Sequence, residues 1–200
     1  MLLVFKRQIQ STMESVVSTL SGPMVHVDVI PDPLDPYAYT SYMFETFSKN
    51  QTLNAYTPES HVAIRLDLND AERGRAVKYL EGCVERSVPY NYPDLLTCVA
   101  PAASWVVSDV PPAEPKVLFF SQAAVLCLKH SVEPDSPVGR AVAKVHSRLT
   151  TPSALYKWAK VLGTEVEVQP DMYKVGHIES GVEPPSVPVL EEGGVDYDEA

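Results

Sequence analysis

The segment VLFFSQAAVLCLKH, residues 117–130, restricts this chain more than any other. It reads as a short apolar strand running into a helix, with a Ser121–Gln122 pair at the junction. Ala123, Ala124, Cys127 and Leu128 continue the helix as an apolar stripe, so its middle belongs in an interior. A chain of 200 residues, 45% of them apolar, can supply one such interior with an appendage, but not two full domains.

The flanking segments supply elements to pack against it. Residues 6–20 place Ile9, Met13, Val16, Val17 and Leu20 on one stripe, predicting an amphipathic helix that Ser21-Gly22-Pro23 ends. MVHVDVI (24–30) alternates and is β-branched, which predicts a strand, and PDPLDP (31–36) is a rigid loop. YTSYMFETF (39–47) alternates again, with Tyr42, Phe44 and Thr46 on one face, and HVAIRLDL (61–68) is a third strand. Together they predict an antiparallel meander, half buried and half solvated.

Asn69 or Asp70 caps a following helix with an inner stripe of Ala76, Val77, Leu80, Cys83 and Val84. VPYNYPDLLTCVAP (88–101) reads as a turn and a short helix with Pro93 in its first turn, and SWVVSDV (104–110) as a strand. A helix across 137–148 is followed by one with Thr150 or Thr151 as N-cap, Pro152 in the first turn and Gly163 as its stop. EVEVQ (165–169) and MYKVGHI (172–178) are candidate final strands. The expected class is α+β, an antiparallel sheet of about five to six strands packed with helices.

Charge and cysteine usage exclude several functions. A formal charge of −10 without basic runs argues against nucleic acid as a partner. Cys83, Cys98 and Cys127 are widely spaced, and no CxxC or His/Cys ligand pair accompanies them. Neither structural zinc nor any other cofactor is expected, and buried thiols suit a reducing, intracellular compartment. MLLVFKRQIQ is too short in its apolar part for a signal peptide, and no apolar run reaches the about 18 residues of a membrane span. His61, His130, His146 and His177 have no ligand spacing and read as surface residues. Asp67, Asp70 and Glu72 read as helix-start acids.

The order of pieces resembles the permuted papain-like hydrolases, the NlpC-like group that includes YiiX-like proteins, over roughly residues 1–165. MVHVDVI looks like the family's histidine-bearing strand, YMFETF like the strand after it, and LNDAERGRAVKYLEGCVERSVPYNYPDLL like its helix and tyrosine-rich turn. VLFFSQAAVLCLKH resembles the motif whose cysteine opens the later helix, and SRLTTPSALYKWAK the helix beyond it. The resemblance implies a circularly permuted papain-like fold, with His26 at the base position; Glu45 reads as a solvent-facing strand carboxylate, the alternative being an orienting remnant.

It also exposes a departure. Where the family motif has its cysteine, this chain has Phe120. A thiol at a helix start is activated by unpaired N–H groups and by a facing histidine, and a benzyl group can do neither job. Cys127 lies about 10 Å further along the axis, in the buried stripe, and reads as a packed core thiol. Ser121 reads as the helix N-cap, the alternative being a serine nucleophile paired with His26. His26 reads equally as the old base or as a hydrogen-bonded strand histidine.

From about residue 179 the composition changes to Pro, Gly, acids and isolated valines, without periodicity. Residues 1–178 are therefore expected to form the domain, and 179–200 an acidic, Pro-rich extended arm. Pro184, Pro185, Val187, Pro188, Val189, Leu190 and Tyr197 are its candidate contacts with a partner chain. The expectation is a catalytically inactive papain-like domain serving as a structural or binding part of a large assembly such as a virus particle. The alternatives are a hydrolase of amide or ester bonds using Ser121 with His26, and a ligand-binding module using the vestigial groove.

Overall fold

The computed structural model describes residues 1–7, 15, 18, 22–32, 37–41, 45–51, 56–93 and 115–168. Six strands form one antiparallel sheet: β1 (Leu2–Lys6), β2 (His26–Ile30), β3 (Tyr37–Thr40), β4 (Ser48–Gln51), β5 (His61–Arg65) and β6 (Thr164–Val166). Their spatial order is β4-β3-β2-β1-β5-β6. Among the described residues the helices are α1 (Asp70–Glu85), α2 (Phe120–Ser131), α3 (Pro137–Val142) and α4 (Pro152–Leu162).

β1 is the strand that periodicity passed over. LLVFK, too short an apolar start for a signal peptide, pairs with β2 on one side and β5 on the other. A strand buried on both faces shows no alternation, so its sequence carries no period to find. Leu3 and Phe5 face the helices with Val27, Val29, Val62 and Ile64. Leu2 and Val4 face the other side with Ile30, Ala38, Ala63 and Tyr56.

The helix layer is centred on α2, where Ala123 to Leu128 are all buried. This middle stretch is apolar all round and has no solvent face to offer, so it packs against α1 through Ala76, Leu80 and Cys83. Asn69 caps α1 reciprocally with Glu72, whose carboxylate also accepts the Glu133 N–H at 2.8 Å. That bond ties the start of α1 to the loop leaving α2. Thr151 caps α4, accepting the Ala154 N–H at 3.2 Å, with Pro152 at the first helical position.

Several expectations need correction. The strand expected over 39–47 ends at Thr40, and a separate strand β4 follows at Ser48. Thr46 makes only an isolated bridge to Pro89, while Tyr42 and Phe44 lie outside the described residues. The strand preceding α2 is a single bridge between Tyr90 and Leu118. The helix expected across 137–148 stops at Val142, and turns follow. Gly163 ends α4 as expected, though not by left-handed backbone: its φ is −121°. A Cβ there would lie 2.4 Å from the Arg65 carbonyl oxygen, so close passage over β5 is what demands glycine. The expected helix over 6–20 falls mostly outside the described residues, as do Cys98, the 104–110 strand and MYKVGHI.

Candidate functional site

Side chains two residues apart on a strand share a face, so β2 presents His26 and Asp28 together. His26 Nε2 lies 2.8 Å from Asp28 Oδ1 and 2.9 Å from Thr40 Oγ1 on β3. The Tyr56 hydroxyl donates to Asp28 Oδ2 at 2.8 Å. His26 is 5% exposed and Asp28 4%, so these bonds replace water almost entirely. Burial alone would push the Asp28 carboxyl up, but His26 beside it and hydrogen bonds from His26, Thr40 and Tyr56 outweigh that and hold it below the usual carboxylate range. A carboxylate only accepts, so Nε2 carries the proton in this pair and Asp28 fixes the ring.

Phe120, far away in sequence, occupies the first position of α2 and packs on this histidine. The two ring centroids are 5.3 Å apart and the planes meet at 67°, an edge-to-face contact. Tyr90 (5.9 Å) and Phe119 (5.7 Å) complete an apolar enclosure around the benzyl ring, which is 5% exposed. Asn91 Nδ2–H donates to Gln122 Oε1 at 3.1 Å, so the tyrosine-rich turn is bolted to the helix start.

Ser121 is not the N-cap. That position belongs to Phe119, which has no capping side chain; its N–H donates instead to Gln122 Oε1 at 3.4 Å. Ser121 sits one turn-step further in, fully buried, and its hydroxyl donates to the Thr150 carbonyl at 2.5 Å. The proton that a base would have to remove is thus committed to an oxygen that cannot act as one. Cys127 is fully buried, with Sγ 4.0 Å from the Ala76 carbonyl, and burial pushes its thiol up.

Glu45 is exposed and stands apart from the histidine; the carboxylate orienting His26 is Asp28. The His-x-Asp spacing within an alternating strand was the available signal, since period two places both on one face. Thr40 and Tyr56 gave none, because only the fold brings them there. His61 is half-buried, not a surface residue: its Nδ1 lies 2.8 Å from Ser60 Oγ, and burial pulls its imidazole below the usual value. His130 is exposed and stacks on Tyr79 at 4.9 Å. His177 and the arm residues Pro184, Pro185, Val187, Pro188, Val189, Leu190 and Tyr197 lie outside the described residues.

An open cleft of about 480 Å³ is lined by Arg7, Pro58, His61, Val62, Glu165 and Val168 among others, and a smaller one of about 260 Å³ by Arg86, Val88, Pro89, Pro115 and Lys116. Neither is lined by His26 or Phe120. Among the described residues no group of three or more His, Cys, Asp or Glu is placed to hold a metal ion, and no helix is long and apolar enough to cross a membrane. The arrangement is a histidine oriented by a buried carboxylate and packed against the phenylalanine that opens α2. No protein-family model, curated protein or solved structure matches the chain.

Proposed function

We propose that this chain is a catalytically inactive papain-like domain that serves as a structural or binding component of a larger assembly, with residues 179–200 as the arm that contacts a partner chain. One observation carries the inactive reading: the Phe120 ring lies against His26 at 5.3 Å, on the helix start where a nucleophile would stand. Nucleophilic catalysis needs a thiol or hydroxyl within reach of the base and N–H groups to receive an oxyanion. The benzyl group supplies no nucleophile and fills that space. Ser121, the remaining nucleophile close by in sequence, spends its proton on Thr150.

The test of inactivity is a fluorophosphonate probe on the intact chain. Ser121 stays unlabelled in the inactive domain, whereas stoichiometric labelling of Ser121 that disappears on His26→Ala would establish a hydrolase. The arm is tested separately, by deleting residues 179–200. The expected result is a melting temperature within a degree or two of the full chain, because an acidic, Pro- and Gly-rich segment without hydrophobic periodicity has little to bury, together with loss of incorporation into the assembly. Unfolding on truncation would make the arm part of the core and refute the partner role.

A further inference from the structure

The register of the sheet places a second imidazole on the face that carries the His26–Asp28 pair. Lys6 on β1 stands opposite His26 on β2 and opposite His61 on β5, so the three side chains form a row across the strands. His26 is buried, whereas His61 is half-buried and lines the larger cleft, where protons reach it from solvent.

The Nδ1 of His61 is engaged from two sides. The Thr57 N–H donates to it at 3.3 Å, and Ser60 Oγ lies 2.8 Å away. A backbone N–H only donates, so Nδ1 holds a lone pair and the ring proton sits on Nε2. In return the Thr57 carbonyl accepts the His61 N–H at 2.9 Å, which closes residues 57–61 into a turn around the imidazole. Thr57 Oγ1, 2.7 Å from Ser60 Oγ, joins the same chain of hydroxyls. Tyr56 comes immediately before this turn and is 6% exposed. Its ring meets His61 edge-to-face at 5.0 Å, and its hydroxyl donates to Asp28 Oδ2. The turn around His61 therefore seats the residue that closes the buried pair from this side.

We propose that His61 is a pH-operated latch: neutral, it holds the turn and keeps Tyr56 on Asp28; protonated, it releases the turn and opens the His26–Asp28 pair to water. Two geometric facts drive the release. A proton on Nδ1 would face the Thr57 N–H, donor against donor. The new charge would also stand directly across from Lys6, and like charges directly opposite on paired strands repel. Among the described residues, the other titratable groups around the ring are His26 and Asp28 on β2, Glu59 in the turn, and Arg7, Glu165 and Glu167 along the cleft. Glu165 is already held by Lys160 at 3.0 Å. Burial disfavours the charged ring most; Asp28 and the Thr57 backbone favour it, Lys6 and His26 oppose it, and the imidazole stays below its usual value. An open turn thus takes up the proton before a closed one does, so acid opens the latch. The latch uses neither Phe120 nor the arm, and its failure would leave the function proposed above untouched.

Nuclear magnetic resonance of the intact chain between about pH 8 and about pH 5 tests this. The expected His61 ring is the Nε2–H tautomer at the alkaline end, with a midpoint below the ordinary histidine value of about 6.5. The Thr57 amide shift and the Overhauser contact between the Tyr56 and His61 rings are expected to change in step with that titration. His61→Asn, whose Oδ1 accepts from Thr57 but takes no proton, abolishes the step. Ser60→Ala, which removes one of the two groups on Nδ1, moves the midpoint up. An Nδ1–H tautomer, a midpoint at or above the ordinary value, or a Tyr56–His61 contact that persists through the titration would each overturn the latch. All three are read on the unaltered chain, so a variant that fails to fold leaves the test intact.

Discussion

The variant Phe120→Cys is expected to carry a thiol whose protonation midpoint lies about two pH units below that of free cysteine, near 6.5 instead of about 8.5. Both causes are already in place. The position is the first of α2, where the helix presents unpaired N–H groups and the positive end of its macrodipole. His26 stands beside it, held in orientation by Asp28 at 2.8 Å. The readout is ultraviolet thiolate absorbance as a difference against Phe120→Ala, which has a similar cavity without the new sulfur and cancels Cys83, Cys98 and Cys127. Removing a buried benzyl group costs about 3–4 kcal/mol, so circular dichroism must first show both variants folded. Adding His26→Ala to the cysteine variant should move the midpoint back up by a unit or more. A midpoint at the free-cysteine value, insensitive to His26, would show that residue 120 is not a nucleophile position, and the vestigial-site reading would fall with it.

Asp28→Ala is expected to be the most damaging single change on β2, at about 3–5 kcal/mol, because it leaves His26, Thr40 and Tyr56 buried without their acceptor. Asp28→Asn keeps the shape and part of the hydrogen bonding, and should cost less. The pair also predicts a pH signature. Asp28 is held below its ordinary range in the folded protein, so the unfolded chain takes up its proton first as pH falls. Its contribution is therefore fully present above the unfolded carboxylate value of about 3.9, and is lost as pH drops through the lower folded value. Urea titrations between pH 7 and about pH 2 should show the stability gap between wild type and Asp28→Asn constant near neutrality and closing under acid. A gap that widens toward low pH would mean the carboxyl is protonated in the fold, and the description of the His26–Asp28 pair would be wrong.

Local chemistry made a good part of this molecule legible. Asn69 before an acidic turn and Thr151 before Pro152 mark helix starts through groups only one to three residues apart, and both caps form. β2 and β5 announced themselves by alternation, yet β2 is buried on both faces and not half solvated: its alternate residues His26 and Asp28 are polar because they hydrogen-bond inside the fold. The apolar run into α2 gave away its burial because nothing in it can face water.

What stayed hidden depends on groups distant in sequence. β1 is buried on both sides and so carries no period, and β4 is too short and polar to look like a strand. Ser121 had the composition of a cap, but the Thr150 carbonyl, twenty-nine residues on, claimed its hydroxyl. Glu45 sat in the expected strand, yet the sheet register gave the orienting role to Asp28, with Thr40 and Tyr56 closing the network from two other segments. By itself the sequence determined where α1 and α4 begin, which run must be interior, and that no thiol opens α2, since these follow from residue type and near neighbours. Only the tertiary structure decided which polar groups meet, because desolvated hydrogen bonds between remote segments are chosen by the packing of the whole sheet and not by any stretch of it.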